Sequence, residues 1–191
     1  MFATARRDED LAQLAAEGLE AVRLDLADSE SIASAAGQVL DMTGGRLFAL
    51  FNNAAYGQPG AVEDLPRAAL REQFETNLFG THELTCHVIP AMRARGEGRI
   101  IQNSSILGLV AMPYRGAYNA SKFALEGLSD TLRQELSGTG IHVVLIEPGP
   151  VLSRFRANAL AAFRRHVDPT AGFHAGIYQA MLKRLEAEGA V

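Results

Sequence analysis

The stretch LFALFNNAA, residues 47–55, decides the fold of this chain. Its first five residues are apolar and the run is too short for a helix, which favours a strand buried on both faces. Four further runs of the same kind are MFATA at 1–5, AVRLDL at 21–26, RIIQNSS at 99–105 and HVVLIEP at 142–148. Strands covered on both faces are typical of parallel sheets flanked by helices. The sequence therefore predicts an α/β, doubly wound fold.

Longer stretches with apolar residues at helical spacing separate these strands. The run Asp28-Ser29-Glu30 predicts a helix start, because aspartate caps the first turn and carboxylates stabilise the positive end of the helix dipole. The run Thr43-Gly44-Gly45 predicts the end of the same helix. Alternating strands and helices support the doubly wound assignment.

The last part of the chain, 153–191, predicts two amphipathic helices with a break at 166–172. In open α/β sheets the ligand lies beyond the carboxyl ends of the strands, so helices inserted there would cover it. We expect a helical substrate lid, with core packing as the equal alternative. The apolar positions are Phe155, Phe163, Phe173, Ile177, Met181 and Leu185.

Length and charge restrict the function classes. A chain of 191 residues fits one domain, and a formal net charge of -4 gives no broad basic field for nucleic acid. Small molecules are the expected partners. No run is long and apolar enough for a membrane span, the first residues do not resemble a signal peptide, and Cys86 is the only cysteine, so we expect a cytoplasmic protein. His82 and His87 share no helix face, and no metal site is expected.

The run YNASK at 118–122 places a tyrosine and a lysine four residues apart, where their side chains meet on a helix. Tyrosine is a poor acid or base at neutral pH because its pKa is about 10. A nearby ammonium favours the phenolate, so we expect Lys122 to lower the pKa of Tyr118 toward the range useful for catalysis.

A hydroxyl group at the end of the run 99–105 completes the candidate site. Ser105 is expected to project from the strand end and to hold a carbonyl oxygen on which negative charge develops. Ser104, one residue earlier, would point to the opposite side of the strand. A lone Tyr-x-x-x-Lys is more often an exposed helix pair, so the assignment depends on several features together.

Together, these motifs resemble the classical short-chain dehydrogenase/reductase family. YNASK is similar to its active-site motif, Ser105 stands at that motif's spacing, and Asn77 in ETNLFGT is similar to its fourth catalytic residue. FNNAA at 51–55 and EPGPV at 147–151 resemble two further family segments. The resemblance implies hydride transfer between a nicotinamide cofactor and a carbonyl or alcohol carbon, with Tyr118 passing the proton. It also implies that Lys122 holds the nicotinamide ribose and that Asn77 anchors a proton-relaying water.

The first strand-like run ends in Ala5-Arg6-Arg7, where an acid would bind the ribose hydroxyl in NAD users. Arginines suit a phosphate instead, which predicts NADP (NADPH), with Arg6 ahead of Arg7. The alternative is that both arginines only solvate the strand end. The resemblance implies further cofactor contacts near the adenine, the adenosine ribose and the nicotinamide: Asp25, Leu26, Asn53, Ala54, Tyr118, Lys122, Pro148, Gly149, Val151 and Ser153.

The chain departs from the family in lacking a G-x-x-x-G-x-G loop, which carries the pyrophosphate. We expect one Rossmann-like domain, 1–191, incomplete at both ends, without the first strand and first helix. The strands at 2–5 and 21–25 would then have no partner in the strand at 47–53, and the chain is expected to bind NADP poorly. Ala55 replaces a usual glycine and would be strained if its φ were positive.

The resemblance extends to substrates and assembly. The segments NNAAYGQPGAVEDL and EPGPVLSRF resemble members that act on lipophilic aldehydes, retinoids or steroids. The helices around 67–94 and 119–137 resemble those through which members form dimers or tetramers. Two alternatives remain: a non-catalytic NADP-sensing or dimerising protein, and an epimerase, which Asn52-Asn53 and the Pro-Gly turn disfavour.

Overall fold

The structure is a computed structural model and describes residues 1–151 and 153–186. Strands and helices alternate along the chain, as the sequence predicts. The elements are, in order, β1 (Phe2–Ala5), α1 (Asp8–Ala16), β2 (Glu20–Arg23), α2 (Ser29–Thr43), β3 (Ala49–Asn52), α3 (Arg67–Phe74), a π-helical segment (Glu75–Phe79), α4 (Gly80–Arg95), β4 (Gly98–Asn103), α5 (Gly116–Glu135), β5 (Ile141–Ile146), α6 (Phe155–His166) and α7 (Ala175–Glu186).

The strands form parallel pairs, and the predicted α/β class is confirmed. β1 pairs with β2, with Phe2 opposite Glu20, and β3 pairs with β4, with Ala49 opposite Arg99. A two-stranded sheet, β1-β2, and a three-stranded sheet, β3-β4-β5, result. Within the described ranges no strand ladder joins β1 or β2 to β3, which matches the expected break in the sheet.

Two compact units make up the described chain. Unit 1 comprises Met1–Asn52, Phe79–Gln102 and Ser129–Val144; unit 2 comprises Asn53–Leu78, Asn103–Leu128 and the described residues from Leu145 on. Unit 1 has two apolar clusters, one between β2, α2 and α4 and one between α4, β4 and β5. In unit 2 one cluster joins the 61–69 region to α6 and α7.

Helix α2 begins and ends as the sequence predicts. The Asp28 side chain accepts hydrogen bonds from the backbone N–H groups of Glu30 and Ser31, at 3.0 and 3.3 Å. This satisfies two donors that the first helical turn leaves unpaired. Gly44 ends the helix at φ 58°, a left-handed conformation that glycine adopts without steric cost.

The helical stretch at 67–95 contains an irregularity. Between α3 and α4 the five residues Glu75–Phe79 form a π-helical turn. Such turns have i to i+5 hydrogen bonds, widen the helix and recur at functional sites. Asn77 lies in this turn and is 1% exposed.

The C-terminal helices pack onto the core of unit 2. Phe163 of α6 and Tyr178 of α7 are fully buried. His166 contacts Glu72 at 3.1 Å, and His174 contacts Glu63 at 2.7 Å. The predicted helix pair is present, whereas Phe173, in the connection between the helices, is 92% exposed. The lid prediction also includes 187–191, which lie outside the described residues, as does 152.

Candidate active site

Tyr118 and Lys122 lie on one face of α5, in unit 2. The Lys122 Nζ stands 5.7 Å from the centroid of the Tyr118 ring. Both side chains are buried, the tyrosine being 7% and the lysine 2% exposed. The four-residue spacing therefore produces a neighbouring, buried pair rather than the exposed helix pair that a lone motif usually gives.

Ser105 follows β4 and caps a short turn at Ile106–Gly108. Its Oγ accepts a hydrogen bond from the Leu107 N–H at 3.1 Å. The hydroxyl proton therefore remains available to a second acceptor. The Tyr118 phenol is the neighbouring group on which this hydroxyl acts, and its effect is to lower the pKa of the phenol. Ser104 has a different environment, and its Oγ is buried without a partner in the described residues.

The protonation of Tyr118 differs from the sequence-based expectation. Burial raises the pKa of Tyr118 above its usual value of 10, and the hydrogen bond from Ser105 opposes this effect. The expectation that Lys122 lowers the pKa is wrong in direction for this structure, because the desolvation of the phenolate outweighs the opposing contribution. The phenol is accordingly in its protonated form at neutral pH.

Lys122 has a neutral hydrogen-bond partner. Its Nζ donates to the backbone carbonyl of Asn103 at 2.6 Å. Burial lowers the pKa of Lys122 to about 8, while the charge of Glu126 acts to raise it. At pH 7 roughly nine tenths of the lysine is still an ammonium ion. The amide of Asn103 in turn donates to Asn53 Oδ1 at 2.6 Å.

Asn77 is fully hydrogen bonded inside unit 2. Its Oδ1 accepts from the Tyr56 N–H at 3.2 Å, and its Nδ2 donates to the Tyr56 carbonyl at 2.9 Å and to Ser121 Oγ at 3.2 Å. Ser121 lies between Tyr118 and Lys122 on α5. Asn77 therefore connects the loop after β3 to the helix that carries the catalytic candidates.

A second buried amide supports the same loop, and sequence reasoning missed it. Gln73 Oε1 accepts from the Gln58 N–H at 2.7 Å, and its Nε2 donates to the Tyr56 carbonyl at 2.8 Å. The available signal was a polar side chain four residues before Asn77 in a helical stretch. Gln73 is fully buried, which requires such partners.

The ring of Phe155, at the start of α6, lies against Tyr118 in an edge-to-face arrangement with centroids 5.3 Å apart. Gly57 gives this ring room, because a Cβ there would stand 2.9 Å from Phe155 Cζ. Ser153 accepts a hydrogen bond from the Phe155 N–H at 3.3 Å. Helix α6 thus places an aromatic ring beside the phenol.

The two arginines after β1 have different environments in unit 1. Arg7 forms a two-point contact with Asp10, at 2.8 and 2.9 Å, and a third with Glu9 at 2.7 Å. Arg6 instead lines a cleft of about 480 Å³ whose other lining residues are Arg23, Asp25, Asp28, Glu30, Ser31, Ser34 and Gln38. Two arginines and three carboxylates line the cleft, so the net charge of the lining does not favour a phosphate. The position of Arg6 in the cleft is what makes this arginine suitable for binding one.

Asp25 and Leu26 follow β2 and differ in exposure. Asp25 is half-buried at the cleft, and its Oδ1 accepts from the Ala27 N–H at 3.0 Å. Leu26 is buried in the apolar cluster of α2 and α4. Its carbonyl lies so close to Gly80 that a Cβ on that glycine would stand 1.9 Å from the oxygen.

The remaining predicted cofactor residues lie in unit 2, and Asn53, Ala54, Gly149, Val151 and Ser153 are exposed. The Pro148 carbonyl accepts from the Ile106 N–H at 3.2 Å. Ala55 is not strained, because Tyr114, at φ 61°, is the sole non-glycine residue of positive φ in the described residues.

The sequence matches a known family over most of its length. A family model described as short chain dehydrogenase matches residues 1–162. The chain belongs to the short-chain dehydrogenase family. Among its curated relatives, the uncharacterized oxidoreductase YbbO of Escherichia coli is 45% identical over 158 residues, covering 83% of the chain and 59% of YbbO. Human retinol dehydrogenase 8 is 39% identical over 143 residues, covering 75% of the chain and 45% of that protein.

Solved structures of similar proteins contain either nicotinamide cofactor. A metagenomic short-chain oxidoreductase in complex with NADP is 31% identical at a TM-score of 0.71, covering 89% of the chain and 80% of that structure. A short-chain dehydrogenase from Burkholderia phymatum in complex with NAD has a TM-score of 0.83 at 24% identity, covering 100% of the chain and 71% of that structure, and it shows the shared fold. The dehydrogenase chain spans little more than half of YbbO and less than half of retinol dehydrogenase 8. No helix among its described residues is long and apolar enough to cross a membrane.

Proposed function

We propose that this short-chain dehydrogenase is an NADP-dependent oxidoreductase that acts on a carbonyl or alcohol carbon of a lipophilic substrate. The observation that carries the proposal is the cluster of Tyr118, Ser105 and Lys122 in unit 2, where the buried phenol interacts with the Ser105 hydroxyl and the Lys122 Nζ lies 5.7 Å from the centroid of the phenol ring. Acid-base catalysis at a carbonyl needs a positioned proton donor and a donor to the developing oxyanion.

The catalytic candidates have separate roles in this proposal. When bound, the nicotinamide supplies or accepts the hydride. Tyr118 gives its proton to the carbonyl oxygen during reduction, and burial keeps the phenol protonated for that step. Ser105 donates to the same oxygen, since its own Oγ already accepts from Leu107 N–H. Lys122 holds the nicotinamide ribose and stabilises the phenolate that the proton transfer leaves.

Asn77 positions these groups. It fixes the Tyr56 backbone and bonds Ser121, the residue immediately before Lys122. Both of its amide hydrogens are used in these contacts. Its anchoring of a relay water would therefore involve its backbone carbonyl, which the π-helical turn leaves outside the regular i to i+4 pattern.

The choice of NADP depends on Arg6. It lines the cleft beyond β1 and β2, whereas Arg7 is engaged by Asp10 and Glu9. Arg6 would hold the 2'-phosphate, and Asp25 and Leu26 would border the adenine. The similar metagenomic enzyme bound to NADP supports this choice. Asn53, Ala54, Pro148, Gly149, Val151 and Ser153 complete the proposed cofactor contacts.

A lipophilic substrate fits the apolar side chains around the phenol. Phe155 contacts the Tyr118 ring, and Val151 and Phe173 are largely exposed in the same unit. Retinol dehydrogenase 8 is a relative whose name denotes such a substrate. The helices α6 and α7 would form the lid. We further propose a cytoplasmic homo-oligomer that uses α5, which exposes Phe123 and Leu128.

The proposal is tested by replacing Tyr118 with phenylalanine and measuring NADPH oxidation with a retinal or another long-chain aldehyde. Loss of the proton donor should reduce kcat by about two orders of magnitude or more. Tyr114→Phe is the matched control, because the Tyr114 hydroxyl contacts His174 and not the candidate site. Full activity of the Tyr118 variant would exclude its role as the acid.

Cofactor choice is tested separately by fluorescence titration with NADPH and NADH. Arg6→Ala should weaken NADPH binding about tenfold or more and leave NADH binding nearly unchanged, because a charged hydrogen bond to phosphate is lost. Arg7→Ala serves as the comparison. An equal loss for both cofactors, or a larger effect at Arg7, would contradict the assignment.

A further inference from the structure

Helix α5 carries a third ionisable side chain, Glu126, on the same face as the catalytic candidates Tyr118 and Lys122. Tyr118, Lys122 and Glu126 follow one another at four-residue intervals, which places them along one face of the helix. The Glu126 Oε1 is buried and has no hydrogen-bond partner in the described part of the chain. A buried carboxylate oxygen without a donor is uncommon and requires an explanation.

Gly108 makes room for this carboxylate. A Cβ at Gly108 would stand 3.0 Å from Glu126 Cγ, 3.1 Å from Glu126 Oε1 and 2.8 Å from Ser104 Oγ. The Ser104 hydroxyl is likewise buried and unpartnered in the described residues. Oε1 of the partly buried Glu126 side chain is therefore shielded from solvent. In such surroundings charges are weakly screened, so Glu126 acts on neighbouring charges over several ångströms.

Lys122 is the neighbouring charge that needs compensation. Its only hydrogen-bond partner among the described residues is the neutral Asn103 carbonyl, and the Tyr118 ring over which its Nζ lies is also neutral. Burial disfavours the ammonium form. Of the charged groups in the described chain, Glu126 is the one whose charge counteracts this, and it raises the pKa of Lys122.

We propose that Glu126 is a positioning residue that keeps the buried Lys122 ammonium charged. It does so through its charge, one helical turn further along α5, since no salt bridge joins the two side chains in the described residues. The catalytic importance of this charge rests on the proposed function: a neutral Lys122 amine would stabilise a phenolate and hold a ribose less strongly than the ammonium does. The electrostatic relation between the two side chains is independent of whether the chain is catalytically active.

The lysine content of the chain makes a direct test possible. Lys122 and Lys183 are its two lysines, so lysine labelled with ¹³C at Cε gives two signals whose pH titration reports each amine. In the unmodified chain Lys122 should titrate near pH 8, and exposed Lys183 serves as the internal reference. In Glu126→Gln, the midpoint for Lys122 should fall by about one pH unit and that for Lys183 should not move. The neutral fraction of Lys122 at pH 7 would then rise about fivefold.

Two variants serve as controls. Glu126→Asp retains the charge and should restore most of the midpoint, whereas Glu135→Gln removes an equal charge from an exposed position on α5 and should leave Lys122 unchanged. If Glu126→Gln fails to fold, Glu126→Ala takes its place, because it removes the charge without burying an amide, and it should show the same fall in the Lys122 midpoint.

An unchanged Lys122 midpoint in the folded Glu126→Gln or Glu126→Ala variant would overturn the proposal. These NMR titrations do not depend on catalytic turnover. A chain that shows the shift but no aldehyde reduction contradicts the proposed function alone, and a chain that reduces aldehydes without the shift contradicts the role of Glu126 alone.

Discussion

Replacing Gly80 with alanine is predicted to destabilise the protein, although alanine normally stabilises a helix. Gly80 is the first residue of α4, directly after the π-helical turn. A Cβ there would stand 1.9 Å from the Leu26 carbonyl oxygen, 2.7 Å from its carbonyl carbon and 2.8 Å from its Cβ. Two of these three atoms belong to the backbone, so no side-chain rotation relieves the contact and either α4 or the segment after β2 must move.

The expected cost follows from two opposing effects. Overpacking costs 1–3 kcal/mol or more, and a clash with backbone belongs at the upper end, about 3 kcal/mol. The helix propensity of alanine returns about 0.5–1 kcal/mol. The net loss is about 2–2.5 kcal/mol. At an m value of about 2 kcal/mol/M, the urea midpoint should fall by about 1 M.

The matched control is Gly37→Ala in α2, where a Cβ would meet nothing within 4 Å. This variant should gain about 0.5–1 kcal/mol and raise the urea midpoint. Unfolding followed by circular dichroism at 222 nm measures both. The urea midpoint should therefore fall in Gly80→Ala and rise in Gly37→Ala. A stabilised Gly80→Ala variant would show that the close approach of α4 to Leu26 is not present in solution. The proposed position of Leu26 at the adenine site would then lose its structural support.

Three further predictions concern buried polar groups and pH. Asn77→Leu should lower the free energy of unfolding by about 2–4 kcal/mol, because the buried hydrogen bonds of Asn77 to the Tyr56 backbone and to Ser121 Oγ are lost, and thermal unfolding measures it. Asn52→Leu should cost about 1–3 kcal/mol, since two buried side chains lose its amide hydrogen bonds; a change below 0.5 kcal/mol would refute this. The hydrogen bond with His166 lowers the pKa of Glu72 below its ordinary 4.5 in the folded state, so its stabilisation is present above pH 4.5 and is lost as the pH falls below that value. The stability difference between the unmodified chain and Glu72→Gln should shrink over that acid range in urea titrations.

The fold follows from local sequence patterns to a large extent. The run 47–55 and its four counterparts each overlap a strand, and the strand ends lie within a few residues of the predicted ends. Asp28 and Gly44 mark the ends of α2 because capping involves only neighbouring residues. The pairing of Tyr118 with Lys122 is equally local, since helical spacing alone brings them together.

The features that escaped prediction depend on tertiary structure. The direction of the Tyr118 pKa shift is set by how completely other segments bury the phenol, which spacing does not reveal. The enclosed position of Glu126 depends on Gly108, eighteen residues earlier in the chain. Gln73 is an ordinary helical glutamine in the sequence, and its burial against Tyr56 becomes apparent only in the fold. Local rules describe the elements, while the electrostatics of the site arise from packing.

The π-helical turn at Glu75–Phe79 has a consequence for how this region tolerates length changes. Each residue advances an α-helix by about 100°. Removing a single amino acid between α3 and Asn77 would convert the turn to regular helix and rotate Asn77 by about that angle relative to α3, which would move its amide away from the Tyr56 backbone. Insertions and deletions here should therefore be far less acceptable than point substitutions at neighbouring exposed positions.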